Sequence, residues 1–558
     1  MFGIDLGTTF SCVATVGVDG TPEVLPLMGG SPMLPSVVLF VGRDDHMTGH
    51  PARELARAQP DDVCSLVKRR MGDGDWRFVS HGRSWSAPAV SGLILKSLVT
   101  DTALSAPVPV QDVVITVPAY FGDQERRATV LAGEYAGLTV VDVISEPIAA
   151  ALAYGFAQLD GPAAGERAES VALIYDLGGG TFDVTVVELA ERRIAVVSLD
   201  GDHELGGADR DEKLALHLAH AFTAAYPDAE DPLDDSAGAQ ALVLEAERVK
   251  RALTEDPSAT ARVAHDGRTL EVPVTREEFE RATSGLLDRT VELTRQAVRA
   301  ARERGVRDVD RLLLVGGSSR MPAVAARLGA ELGLEAELTD PDLIVAKGAA
   351  VYGEKKAIER LVLGDLVTRG QLQDGAPVGT AAAPDVDAAC ARLAAELGMT
   401  PERVRRTVDV QVLNVCSRGF GVLVLNPYGE PEAVFLVHRN DRLPAVVRRS
   451  FGTVHDDQDT VTIRVIEQGG GAESRHAEDN KVIAEASIVD IPPGFPAGTE
   501  LQITLSMGFD GILELTATHE GMVDRPLRVQ IETSAALSQA DVSRERAQVA
   551  KVRRRDGR

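Results

Sequence analysis

Basic residues, cysteine and long apolar runs are the scarce features of this 558-residue chain. Lys and Arg number 58 against 84 Asp and Glu, a formal net charge of −26 at pH 7. Phosphate backbones and anionic lipid surfaces are held mainly by cationic side chains, so neither nucleic acid nor membrane is an expected partner. No run of about eighteen or more uncharged apolar residues occurs, and a bilayer-spanning helix needs one. The four cysteines, Cys12, Cys64, Cys390 and Cys416, are scattered. They lack the close pairing or neighbouring histidines of a zinc site or disulfide framework, and read as reduced and structural. The chain enters Phe2-Gly3-Ile4-Asp5 with no basic and then apolar leader ahead of it, so a secretory signal is not expected and a cytoplasmic location is. The one basic cluster, Arg553-Arg554-Arg555, reads as a frayed, solvated tail.

What is present is glycine at turns, repeated. With 44% apolar and 25% charged residues the composition is that of a globular protein, and its length exceeds one core, implying roughly three to four units of ordinary domain size. GIDLGTTFSCVAT at 3–15 and YDLGGGTFDVTVV at 175–187 share an apolar-Asp-Leu-Gly opening followed by Gly/Thr-rich residues and a β-branched run. Each predicts a β-hairpin, and the two halves are related. RLLLVGGSSRMP at 311–322 predicts a strand buried on both faces, a glycine turn, and a helix with Pro322 in its first turn. Helical segments at 124–137 and 241–254 lie between, so residues 1–355 form an α/β unit. Residues 356–409 turn to Gly, Ala, Asp and Pro and read as an atypical linker or insertion, with two short helical pieces around Gly398 and Thr400-Pro401-Glu402. A helix-turn-helix for DNA is disfavoured there by the acidity of the chain and the lack of a basic second helix. Residues 410–533 carry short alternating strands, including VDVQVLN, GFGVLVL, TVTIRVIE and ELQITLSM, and predict an antiparallel β-sandwich. Residues 534–558 leave room for one short helix from near Ser538 and a basic tail.

The glycine turns point to phosphate. Backbone N–H groups can approach a triphosphate where glycine removes the Cβ and tolerates positive φ. Gly7-Thr8-Thr9 and Gly178-Gly179-Gly180-Thr181 supply two such cradles. The acid upstream of each, Asp5 and Asp176, stands at a strand end where a hydrated Mg²⁺ bridging phosphates needs a carboxylate.

The order GIDLGTT, VKRRMG, VPAYFGDQERRAT, SEPIAAALAYG, YDLGGGTFDV, LGGADRD, EAERVKRAL, LVGGSSRMP and DPDLIVAKGAAVYG resembles the nucleotide-binding domain of the seventy-kilodalton heat-shock (DnaK-type) chaperones over nearly all of 1–353. The resemblance implies an actin-like, two-lobed ATPase clamp that binds ATP/ADP with Mg²⁺. It assigns Thr8 and Thr9 to the phosphates, Lys68 to the γ-phosphate and Glu146 to the attacking water, with Asp176, Thr181 and Asp183 completing the catalytic set. It assigns Gly206, Gly207, Glu247, Lys250, Arg251, Gly316, Gly317, Ser318, Arg320 and Asp342 to the nucleotide, the stems of Lys250 and Arg251 flanking the purine. Pro147 and Gly155 suit the start and far cap of a helix that carries Glu146 at its head. Residues 410–533 resemble the family's peptide-holding sandwich through LPAVVRRSF, DDQDTVTIRVIEQG, DNKVIAEASIVDIPP and FDGILELTATHE.

Departures accompany the resemblance. Ser450 stands where the family has an apolar residue lining its peptide pocket, and Arg418 where the peptide arch is usually apolar. The interdomain linker reads Val410-Gln411-Val412-Leu413-Asn414, with Asn for the usual Asp, and Asp142 and Ser145 replace the Arg and Asn that help bind a J-domain helper. A reversed charge there opposes that partner. Only ALSQADVSRERAQVAKV resembles the family's lid, so a lidless chaperone with transient peptide binding is expected. The expected partners are unfolded or extended polypeptides and a nucleotide exchange factor. The rival readings are a nucleotide-regulated scaffold or co-chaperone whose sandwich docks a dedicated partner, and a small-molecule kinase, in which the sandwich would have no role.

Overall fold

The computed structural model describes residues 1–159, 169–190, 192–508, 513–522, 527–530 and 539–555. Each glycine-turn hairpin opens one six-stranded sheet. The first runs Thr139–Ser145, Asp112–Val117, Phe2–Leu6, Phe10–Val16, Pro22–Val24, with Leu34–Pro35 also paired to Phe10–Val16. The second runs Ala336–Leu338, Arg311–Val315, Ser170–Leu177, Phe182–Ala190, Arg193–Asp202, Gln411–Leu413. In both, the hairpin's first strand pairs in parallel with a later strand, and the buried Ile4, Val113, Ile115, Leu312 and Leu314 account for the nearly continuous apolar runs.

Two helices, Glu146–Leu159 and Ile344–Thr368, pack together in a core shared by both lobes. They cross at Gly348, where an added Cβ would lie 1.7 Å from the Ala149 carbonyl oxygen. Only glycine permits that approach. The helix headed by Glu146 continues through Gly155, the expected cap, to Leu159.

Residues 356–409 differ from a linker. The helix Ile344–Thr368 runs on through the expected boundary, and Ala383–Leu397 and Pro401–Asp409 fold back on it. Val362, Leu366, Val386, Ala389, Leu393 and Val404 form a separate small core. The local signals had the physics right: Gly398 closes the first helix in the left-handed region at φ 66°, and the Thr400 hydroxyl accepts from the Arg403 N–H at the head of the second. Gln411–Leu413 then pairs in parallel with Arg193–Ala195, so the VDVQVLN run extends the second lobe's sheet and does not join the sandwich.

The sandwich consists of two four-stranded sheets, Pro431–Val437, Phe420–Leu425, Val461–Gln468, Asn480–Ile488 and Ala445–Gly452, Glu500–Met507, Leu513–His519, Leu527–Gln530. Leu501, Ile503, Leu505 and Met507 alternate inward along one strand and meet Val422, Ile463 and Val465 from the other sheet. It sits against the clamp through Arg439, whose Nη2 lies 2.7 Å from Asp200 Oδ1, and Asn440, whose Oδ1 accepts from the Leu199 N–H at 3.0 Å. Arg418, expected over the peptide, is at this interface between Glu467 (3.4 Å) and Glu125 (3.8 Å).

The sandwich boundary at 533 and the tail-helix start near Ser538 lie outside the described residues. Over residues 539–555 the tail is not frayed. The helix Gln539–Lys551 packs on Ala87–Thr102 and Asp123–Tyr135, and Val549 and Val552 are buried in the first lobe's core. Arg553–Arg554 adds a parallel strand to Asp45–Thr48. Arg554 grips both oxygens of Asp101 at 2.6 and 2.9 Å, while Arg553 and Arg555 reach Asp45, each at 3.1 Å. Carboxylates distant in sequence turn the basic cluster into an anchor.

Candidate functional site

The two glycine turns face each other at the floor of the cleft between the lobes. Added Cβ atoms at Gly179 and Gly180 would lie 2.3 Å from Thr9 Oγ1 and 2.3 Å from Thr8 Cγ2, so any side chain would push the turns apart. Asp5 ends its strand opposite Cys12 and accepts from Thr116 Oγ1 at 2.9 Å. Asp176 stands opposite Asp183 in the second hairpin. A cavity of about 630 Å³ opens above them. Its lining includes Asp5, Gly7, Thr8, Thr9, Lys68, Glu146, Asp176, Gly178, Gly179 and Thr181 together with Glu247, Lys250, Arg251, Gly316, Gly317, Ser318, Arg320 and Asp342.

Charge is concentrated at the floor. Lys68 Nζ lies 2.5 Å from Glu146 Oε1, both groups buried. Burial, reinforced by the charge of Glu146 and opposed by Lys68 and Thr116, pushes the Asp5 carboxyl up to about 7. Burial and the neighbouring acids raise Asp176 and Asp183 well above the carboxylate range. For Lys68, burial works against the charge, but Glu146, Asp5 and Asp183 outweigh it and raise the pKa. Four carboxyl groups thus share one lysine, a surplus of negative charge that a divalent cation at Asp5 and Asp176 would offset. Among the described residues no group of three or more His, Cys, Asp or Glu is arranged to hold a metal. Asp5 and Asp176, two carboxylates beside the glycine turns, have the oxygen chemistry that a hydrated divalent cation would need.

Elsewhere in the cavity wall, Glu247 pairs with Arg53 from the opposite lobe and with Arg251 at 2.8 Å. Both guanidiniums lie over the Phe10 ring, at 5.8 and 5.3 Å from its centroid. Lys250 is held by the Gly207 carbonyl at 3.0 Å and Asp211 at 2.7 Å. Burial carries Asp211 up to about 6 despite Lys250. Arg320 pairs with Asp342 at 2.5 Å. Gly316 adopts φ +80°, with an added Cβ 2.4 Å from the Leu177 carbonyl, which fixes the loop that carries Gly317 and Ser318.

Four expected residues stand behind the cavity surface. Asp183 Oδ1 accepts from the Ala119 N–H at 3.0 Å and joins the two lobes' loops. Gly180, Gly206 and Gly207 back the phosphate turns, an added Cβ on Gly206 meeting Gly180 N at 2.6 Å. Several contributors escaped the sequence reading: Phe10, Arg53, Asp211, and Arg69, which bridges the lobes by donating to the Gly180 carbonyl at 2.8 Å and to Asp209 at 2.6 Å. The signal for Arg69 was present in Lys68-Arg69-Arg70 and the acid of LGGADRD, but nothing local joins them.

The departures also have definite surroundings. Ser450 is exposed and donates to Glu500, outside the sandwich interior. Asp142 is held by Tyr352 Oη and Lys356 Nζ, each at 3.0 Å.

Compared with protein families, the chain matches the Hsp70 protein model over residues 1–368 and 383–558, leaving 369–382 between the two matched stretches.

Proposed function

The chain belongs to the Hsp70 family, whose members are in general ATP-binding chaperones and ATPases, and from that premise we propose that ATP hydrolysis in its clamp controls transient binding of extended polypeptide by its sandwich. The observation that carries this reading is the linker strand Gln411–Leu413, which belongs to the same sheet as the Asp176 hairpin while the sandwich it leads into rests on Leu199 and Asp200 of that sheet. A change at the phosphates thus has a direct mechanical route to the sandwich.

In the proposed chemistry Thr8, Thr9 and the N–H groups of the glycine turns would hold the phosphates, and Asp5 and Asp176 would hold hydrated magnesium. The ion would neutralise phosphate charge as it shifts toward the leaving group. Lys68 transfers its contact from Glu146 to the γ-phosphate, which releases the Glu146 carboxylate to orient and polarise the attacking water. Arg53 and Arg69 hold the lobes together across the cleft during the step. A nucleotide exchange factor would reopen them. Asp142 puts a negative charge where the resemblance implies a cation for a J-domain helper, and Lys356 is already paired with it, so stimulation by one is expected to be weak.

The test is the dissociation rate of a labelled apolar peptide from the full chain, with ATP and Mg²⁺ against ADP, for wild type and Glu146→Ala. Faster release with ATP, and a variant that responds to ATP but does not return to the slow state, supports the reading. ATP binding with no peptide binding in either state sinks it. That outcome would favour the scaffold reading, in which the polar Ser450–Glu500 pair belongs to a docking face for a dedicated partner.

A further inference from the structure

A second cavity of about 470 Å³ lies in the second lobe, among the helices Ser236–Glu255, Arg276–Glu303 and Pro322–Leu332. Its walls are mostly apolar, with Leu253, Phe279, Leu287, Met321 and Val324 prominent. Arg210 reaches this wall from the helix Gly207–Ala225 and is 2% exposed. Its Nη1 donates to the Gly206 carbonyl at 3.0 Å, and its Nη2 has no partner among the described residues.

The charges of Asp209 and Asp211 favour the Arg210 cation, but among the described residues neither carboxylate pairs with it, and Asp211 Oδ1 is itself buried without a partner there. Asp209 receives Arg69 at 2.6 Å and the Gly206 N–H at 2.6 Å, and Asp211, on the nucleotide cleft, receives Lys250 at 2.7 Å. The remaining charged lining is Lys250, Arg276 and Arg327 against Glu280 and Asp288, and Arg327 pairs with Asp288 at 3.3 Å. Arg276 donates from Nε and Nη2 to the carbonyls of Leu253 and Thr254. An unpaired guanidinium in apolar surroundings is costly. Burial already depresses its pKa. An anion would repay that cost only if the rest of the molecule were content among apolar walls.

We propose that this cavity is a binding site for a small carboxylic acid with an apolar or aromatic body, its carboxylate on Arg210. The site is separate from the nucleotide cleft but shares Lys250, Thr254 and Met321 with it as a common wall. Occupancy therefore alters nucleotide affinity, and nucleotide alters occupancy by the same factor. The site does not depend on the ATP-driven reading above.

The probes are 2-naphthoate and its neutral analogue 2-naphthalenemethanol, titrated by calorimetry into the full chain saturated with Mg²⁺ and ADP. The expected result is saturable naphthoate binding that ADP does not displace, at least tenfold weaker in Arg210→Met, with the neutral analogue bound equally by both proteins. Ala326→Phe, at the exposed rim, should abolish binding of both probes and keeps the test valid should Arg210→Met fail to fold. No saturable binding, displacement by ADP, naphthoate affinity unchanged in Arg210→Met, or binding retained in Ala326→Phe would each overturn the proposal.

Discussion

At the floor of the cleft, Lys68 is the cation that four carboxyl groups share. Its replacement by Met should slow single-turnover hydrolysis by about a hundredfold or more, the usual loss when one charge-stabilising donor is removed, while filter binding still detects ATP. Unchanged turnover would remove Lys68 from the chemistry. Arg53→Ala removes the pair that joins Glu247 to the lobe carrying Phe10, and one of the two guanidiniums over the Phe10 ring. Calorimetry should show ATP binding weakened roughly fivefold, about 1 kcal/mol for a partly buried pair with a ring contact. These two residues divide what the sequence disclosed from what it hid. Lys68, Asp5 and the glycine turns stood in compact local patterns whose physics is short-range. Arg53 meets Glu247 across 194 positions, and nothing in its own neighbourhood predicts the acid it will find.

The same distinction holds for whole elements. The helices Asp123–Tyr135 and Ser236–Glu255 were visible through apolar spacing, and the hairpins through glycine between β-branched runs. The tail was not, because its strand is made by partners 453 and more positions away. Residues 356–409 looked like a linker because their composition turns to Gly, Ala, Asp and Pro, and only the mutual packing of the helices supplies a core. Val549 is fully buried beneath the tail helix, so Val549→Ala should destabilise the tail by about 2 kcal/mol, read as faster hydrogen exchange over 539–555. His46, in the strand that receives the tail, is pulled down to about 4 by burial, then by Lys96 and Arg554, against the Arg553 backbone and Asp45. A depressed histidine is neutral when folded and charges first when unfolded. Stability is therefore level above the ordinary pKa of 6.5 and falls as pH drops from there toward 4, by up to about 3 kcal/mol. His46→Leu should flatten that part of a Tm-against-pH curve. An unchanged slope would show that other groups set it.

For the molecule as a whole, the contact between sandwich and clamp rests on a few polar pairs, among them Arg439 with the largely buried Asp200. Arg439→Ala leaves that carboxylate without its cation, which should cost the docked arrangement about 2 kcal/mol. Peptide release with ATP should then slow to the ADP rate while the clamp's own hydrolysis stays within a few-fold. Retention of ATP-accelerated release would place the coupling elsewhere. The sandwich is also fastened on both sides, by the strand Gln411–Leu413 before it and by the helix and strand of 539–555 after it. Were the contacts at Leu199 and Asp200 to let go, a sandwich held at both ends would keep mainly rotation about the line through its two fastenings, like a door on its hinges, and loss of the tail's anchorage would leave it a pendulum on a single tether.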